Sequence, residues 1–237
     1  MVDIAIVDYG MGNLRSVEQA MRHAAPGREV VVTDDAAVIG NAQRVVFPGQ
    51  GAMPDCMREL DGRGLRGAVL EAANARPFLG ICIGLQMLFE KSAEGDVAGL
   101  GVLKGEVLRF DGNMRDEKGN RLKVPHMGWN QVRHVGPLFN PLPLASEEAN
   151  AASAVGGSRK ANPHPLWEGI AQDARFYYVH SYYVAPEDRN LVQATSDYPG
   201  PFVCAVARDN LFAVQFHPEK SQAAGLRLLQ NFVHWNP

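Results

Sequence analysis

The sequence predicts an α/β fold, an open and mostly parallel sheet flanked by helices, with an antiparallel β extension. Two observations carry this. Between residues 4 and 91, short apolar runs of strand length alternate with helical stretches. Such alternation implies right-handed βαβ crossovers onto a parallel sheet. In the second half, β-rich runs follow one another with hairpin-like turns. The chain has 237 residues, 46% hydrophobic and 21% charged, which suits a globular chain with a sizeable core.

Taken in order, residues 4–7 form a buried strand that ends in the tight turn Asp8-Tyr-Gly-Met-Gly12. Residues 14–25 read as a helix stopped by Pro26-Gly27. Residues 30–32 are a β-branched second strand, and 44–47 a third, closed by Pro48-Gly49. A helical stretch with a glycine-rich break covers residues 55–75, then a strand at 78–81 and a helix at 84–91. Ligands on such sheets gather at the carboxyl ends of the strands. That singles out residues 10–13, 48–51 and 82–84. Further strands are expected at 102–110, 176–184, 191–195, 202–207 and 211–216, with a turn at Asp209-Asn210. A closing helix over 221–235 places Leu226, Leu229 and Phe232 on one face, ready to pack on the sheet. Residues 146–163 are rich in Ala, Ser, Gly and Asn and lack periodicity. They exceed an ordinary loop of about 12–15 residues and are expected to be a mobile surface insertion.

The net charge of −3, with no long basic run, argues against nucleic acid as a partner and gives no membrane-surface signal. No window approaches a membrane span, and the first residues lack the basic start of a leader. Cys56, Cys82 and Cys204 are an odd, sparse set that does not read as a disulfide framework, so a reducing compartment is expected. The expectation is a soluble, cytoplasmic protein.

Three segments carry chemistry. In Gly80-Ile-Cys82-Ile-Gly84, small residues two before and two after the cysteine allow a sharp strand-to-helix turn. Such an elbow holds the sulfur at the strand end, puts it at a helix N-terminus that favours thiolate, and frees the Ile83 N–H for an oxyanion. A buried structural cysteine between packing glycines fits the same five residues. Cys56 and Cys204 lack this context and read as core. A cysteine nucleophile needs a base. His217 follows a strand and precedes the last helix, with Glu219 two residues on. In an extended segment both side chains face one way, so Glu219 can fix the imidazole tautomer. A plain helix-start turn is the alternative. In Pro48-Gly-Gln-Gly51, two glycines let backbone N–H groups face a ligand, as a second oxyanion donor must. An ordinary strand-to-helix loop fits too.

Together and in this order, the three segments resemble the class I (triad-type) glutamine amidotransferases, flavodoxin-like α/β domains. The resemblance spans nearly the whole chain apart from residues 146–163, and implies a single domain over 1–237. It implies Cys82 as nucleophile, His217 as base and Glu219 as its orienter. It also implies an oxyanion hole from Ile83 with Gln50 or Gly51, and a glutamine site at Gly49, Gln86, Ser181 and Tyr182. No cofactor or metal is expected. Four segments resemble the histidine-pathway branch, the glutaminase subunit of imidazole glycerol phosphate synthase. They are Asp8-Tyr-Gly-Met-Gly-Asn13, Pro125-His-Met-Gly-Trp-Asn130, Phe176-Tyr-Tyr-Val-His-Ser-Tyr-Tyr183 and Gln215-Phe-His-Pro-Glu-Lys-Ser221. By that resemblance the partner is a cyclase subunit in a heterodimer, with ammonia channelled between the two. Asn13, Trp129 and Lys220 would then lie at the docking face. Gln50 departs from the small apolar residue usual at its place. The alternatives are the glutaminase of another class I enzyme such as anthranilate synthase, a silent regulatory subunit, and a cysteine peptidase of similar fold.

Overall fold

The computed structural model describes residues 2–116, 118–135 and 164–237. The expected insertion at 146–163 lies outside the described residues. The first half runs β1 (Ile4–Val7), α1 (Leu14–Ala24), β2 (Val30–Thr33), α2 (Ala36–Asn41), β3 (Arg44–Gly49), α3 (Met53–Gly62), α4 (Arg66–Ala75) and β4 (Phe78–Cys82). This is the expected alternation with one helix added. α2 is short, and Asp35 caps it by accepting the Ala37 N–H at 2.8 Å.

Beyond β4 come α5 (Ile83–Gln86), β5 (Phe89–Ser92), β6 (Val97–Ala98), β7 (Leu103–Arg109), β8 (His126–His134), β9 (Ala174–His180), β10 (Tyr182–Pro186), β11 (Val192–Asp197), β12 (Pro201–Arg208), β13 (Leu211–Val214) and α6 (Gln222–His234). The sheet order is β2-β1-β3-β4-β13-β12-β10-β7-β5-β6. The first five strands are parallel, in the doubly wound order that puts a binding site at the strand carboxyl ends. β12, β10 and β7 continue antiparallel, and β11, β8 and β9 branch off β12.

β1, β3, β4 and β13 are buried along their whole length, which explains why they read as continuous apolar runs rather than alternating ones. Right-handed crossovers in this order place α1 on one face and α2 with α4 on the other. α1 buries Val17, Met21 and Ala24 and packs against α6. α6 buries Gly225, Leu228, Leu229, Phe232 and Val233, so Leu226 at the stripe's edge is only partly covered. Its C-terminus is tied down by buried Arg44, which donates to the carbonyls of Val233 (2.8 Å) and Trp235 (2.9 Å) and to Asn236 Oδ1 (2.8 Å).

Three expectations are corrected. The run at 211–216, expected in the antiparallel extension, gives β13, which pairs antiparallel with β12 but parallel with β4 and so closes the parallel half, because a fully apolar strand can be buried on both faces. The helix expected over 84–91 ends at Gln86, and Phe89–Ser92 is a strand paired with β7 and β6. Leu85, Met87, Leu88 and Phe89 are all fully buried, and a run buried all round looks alike as helix or strand. The strand expected over 176–184 breaks at Ser181. β9 pairs with β8, whereas β10 returns to β7 and β12. Period-two alternation shows that a run is extended, not that it changes neighbours at a corner.

The elbow after β4 depends on close packing. A Cβ on Gly84 would collide with the Phe47 carbonyl of β3, and one on Gly80 would lie 2.9 Å from Ala213 Cβ and 3.2 Å from the Gly84 carbonyl oxygen. Gly84→Ala is therefore expected to destabilise the fold by about 3 kcal/mol, the upper end for overpacking a tight core. A denaturant titration measures this, and an unchanged midpoint would show that β3 yields freely.

Candidate active site

The site sits where β3, β4 and β13 end side by side. β3 and β4 are in register to the last residue, with Gly49 opposite Cys82, and Val214 of β13 lies opposite Ile81. Residues just past these ends therefore converge on one sheet edge. Cys82 holds φ +56°, ψ −112°, a strained conformation for a side chain larger than glycine. Ile83 opens α5, so its N–H has no acceptor one turn back in the helix. α5 has four residues. The helix-dipole support expected for the sulfur therefore shrinks to a single turn, and the local N–H groups matter more.

His217 and Glu219 meet as expected but by another route. Residues Pro218–Lys220 form one 3₁₀ turn rather than extended chain, and His217 Nδ1 lies 2.9 Å from Glu219 Oε1. Their side chains are 3% and 1% exposed, so the contact is shielded from water. The turn is anchored by β9. Tyr177 accepts the His217 N–H at 2.9 Å and donates its own to Ser221 Oγ at 3.0 Å, and Ser221 Oγ donates to the His217 carbonyl at 2.6 Å. Burial opposes charge on His217, but the Cys82 sulfur and the Glu219 carboxylate outweigh it and raise the imidazole to about 10. A protonated imidazole beside the sulfur is the arrangement that supports an attacking thiolate.

These groups open on a cavity of about 310 Å³. Gln50, Gly51, Cys82, Ile83, Gln86, Ser181, Tyr182 and His217 all line it, so the structure gathers residues from four separate expectations. Glu219 stands behind His217. Gly49 lies beneath the elbow, where a Cβ would press on Tyr9 Oη at 2.6 Å and Ile83 Cβ at 2.8 Å. Gly51 takes φ +114°, which favours glycine. Cys56 and Cys204 are fully buried in α3 and β12, as expected for core.

The Tyr182 carbonyl is a hub beside the cavity. It accepts from Gln86 Nε2 at 3.2 Å and His180 Nδ1 at 2.7 Å. Burial pushes His180 down to about 3 and His126 to about 4, so both rings are neutral near pH 7. The tautomers then follow in turn. His180 Nε2 accepts from His126 Nδ1 at 3.0 Å, and His126 Nε2 accepts from Asn130 Nδ2 at 3.2 Å.

The chain matches the family model of glutamine amidotransferase class-I over residues 5–235. It belongs to that family. Among class I amidotransferases it is 58% identical over 238 residues to the imidazole glycerol phosphate synthase subunit HisH of Aromatoleum aromaticum, covering 100% of both chains. It is 57% identical to the subunit of the same name from Thiobacillus denitrificans, covering 100% of this chain and 92% of that one. A solved glutamine amidotransferase superposes with TM-score 0.64 at 14% identity, over 98% of this chain and 99% of that one, and shares the fold.

Four lining residues of this amidotransferase site were not among the expected site residues: Glu94, Pro125, Val179 and His180, of which only Glu94 lies outside the segments singled out from the sequence. Glu94, just past β5, faces the cavity and accepts the Met53 N–H at 2.9 Å. Nothing local in Ser92-Ala-Glu-Gly95 distinguishes it from a surface carboxylate. The proposed docking residues are partly gathered. Trp129 is 42% exposed, which excludes a core role. Its ring lies 6.1 Å from that of Tyr177, and Lys220 Nζ stands 5.9 Å above Tyr177. Asn13 precedes α1, the helix that packs on the Pro218–Lys220 turn.

The raised His217 value sets a pH dependence. The folded state holds its proton more tightly than the unfolded chain, whose histidine titrates near 6.5. The stabilisation is complete below about 6.5 and is lost as pH rises toward about 10. Glu219→Gln removes one of its causes. The stability gap between native and variant chains is expected to be widest near pH 6 and to narrow toward pH 10 in paired urea titrations. A gap that widens with pH would reverse the assigned sign.

Proposed function

We propose that Cys82, His217 and Glu219 hydrolyse glutamine to glutamate and ammonia for the cyclase subunit of imidazole glycerol phosphate synthase, in histidine biosynthesis. The observation that carries this reading is the convergence of a strained cysteine elbow and a buried His–Glu pair on one cavity, in a chain 57–58% identical over its length to glutaminase subunits of that enzyme. The lyase step belongs to the cyclase. The anthranilate-type alternative is not favoured, because the full-length relatives carry the other name.

The Cys82 thiolate attacks the side-chain carbonyl carbon of glutamine. The oxyanion is held by the Ile83 N–H and a donor from Gln50 or Gly51. His217, kept protonated by its neighbours, delivers its proton to the departing nitrogen as the C–N bond breaks, leaving a glutamyl thioester and ammonia. The now neutral His217 takes a proton from water, which attacks the thioester and releases glutamate and the thiolate. Gln86, Ser181 and Tyr182 line the cavity and offer polar groups suited to the substrate's α-amino and α-carboxylate groups, and Glu94 adds a carboxylate suited to the ammonium.

Free ammonia becomes ammonium in water and loses its nucleophilic lone pair, so delivery through a docked, dry interface keeps it reactive. Exposed Trp129, with Lys220 over Tyr177 and Asn13 nearby in sequence to α1, supports docking at this sheet edge. A heterodimer formed by a single domain, residues 1–237, fits the full-length match to its relatives. A cytoplasmic placement rests on the likeness to subunits of a biosynthetic enzyme; among the described residues no helix is long and apolar enough to cross a membrane.

In a mixture with cyclase, Cys82→Ala is expected to abolish glutamine-dependent turnover while leaving ammonia-dependent synthesis intact. Loss of both activities would overturn the division of roles. Glutamate release should rise strongly only with cyclase and its nucleotide substrate together. Release indifferent to the cyclase would keep the glutaminase and discard the partner.

A further inference from the structure

Gln215 lies fully buried between Cys82 and Gln86, both of which line the cavity. Its backbone N–H donates to the Cys204 carbonyl at 2.9 Å, continuing the β12–β13 pairing. Its side chain is held at both ends. Nε2 donates to Cys82 Sγ at 3.8 Å, and Oε1 accepts from Gln86 Nε2 at 3.0 Å.

This amide orientation is forced rather than chosen. The Tyr182 carbonyl can only accept, so Gln86 must turn its NH₂ toward it. The second hydrogen of that NH₂ goes to Gln215, whose oxygen must face it. The Gln215 NH₂ is then left facing the sulfur. Turned the other way, Gln215 would set its carbonyl oxygen against an electron-rich sulfur and face Gln86 with donor against donor. The same chain leaves Gln86 Oε1 buried and without a partner among the described residues, an acceptor beside the cavity.

We propose that Gln215 is a positioning residue that links the nucleophile to the substrate cradle. Its N–H steadies the sulfur anion before attack and again when the thioester is hydrolysed and sulfur departs. Its carbonyl holds Gln86 in the orientation that accepts from the ammonium of bound glutamine. The inference rests on the reading of Cys82 as nucleophile.

The test uses the full chain, alone for alkylation and mixed with cyclase for turnover. Iodoacetamide labelling, located by mass spectrometry, is followed across pH with and without glutamine. Glutamine-protected labelling of Cys82 in the native chain establishes the nucleophile. Its absence overturns that reading and this inference with it. Gln215→Leu removes donor and acceptor. Half-maximal alkylation should move up by about one pH unit, the size expected for losing one hydrogen bond to a charged atom, and the KM for glutamine should rise. Gln215→Glu keeps an acceptor for Gln86 and loses the donor, so the profile should move while KM stays within about twofold of native, well inside the loss of one hydrogen bond. Gln86→Leu should raise KM and leave the profile in place. If Gln215→Leu does not fold, Gln215→Glu against Gln86→Leu decides the matter. A Gln215 variant that folds, labels at Cys82 and keeps the native profile overturns the inference alone.

Discussion

The backbone turn at Cys82 holds a positive φ because its surroundings leave it no room to relax. Gly84 lies against the Phe47 carbonyl of the neighbouring strand, and Gly80 packs between Ala213 and the Gly84 carbonyl. Two strands in register and a third beside them thus clamp the elbow from both sides. Strain of about 1–3 kcal/mol can persist only where the surroundings over-determine it, and here they are the fully buried centre of the parallel sheet. The sulfur's position is accordingly a property of the core rather than of a loop.

The second half of the site is built differently. His217 stands on a 3₁₀ turn, and turns of this kind are seldom rigid by themselves. Rigidity comes from β9, through the paired hydrogen bonds of Tyr177 to His217 and Ser221. β9 in turn is held only by β8 among the described strands. The strand that carries exposed Trp129 therefore supports the strand that positions the proposed base. Contact at the sheet edge and geometry at the cavity share one piece of backbone.

The Tyr182 carbonyl joins the two halves. One branch runs through Gln86 and Gln215 to Cys82, and the other through His180 and His126 to Asn130, next to Trp129. The amides and imidazoles of both branches are neutral, and their directions follow from one carbonyl that can only accept. Such a network has few alternative arrangements, so a shift at one end is costly to absorb locally.

The sequence by itself determined four of the five parallel strands, because buried parallel strands must be continuous apolar runs and the helices between them must be amphipathic; the fifth, Leu211–Val214, was expected in the antiparallel extension, and only its pairing with β4 made it parallel. It also placed Cys82 at a strand-to-helix elbow and set Glu219 two residues after His217. The glycine spacing at an elbow and the short His-to-Glu step are local requirements, legible within a few residues. Tertiary structure decided what depends on distant partners. Residues 89–92 became a strand because β7 and β6 pair with them, against a helical reading of the same apolar run. The break at Ser181 arose because β9 and β10 pair with different neighbours. Glu94 entered the cavity by a bond to Met53, 41 residues away, and Gln215 reached both Cys82 and Gln86 across about 130 residues of chain. No local pattern encodes such meetings, because they exist only once the sheet has brought separate strand ends to a common edge.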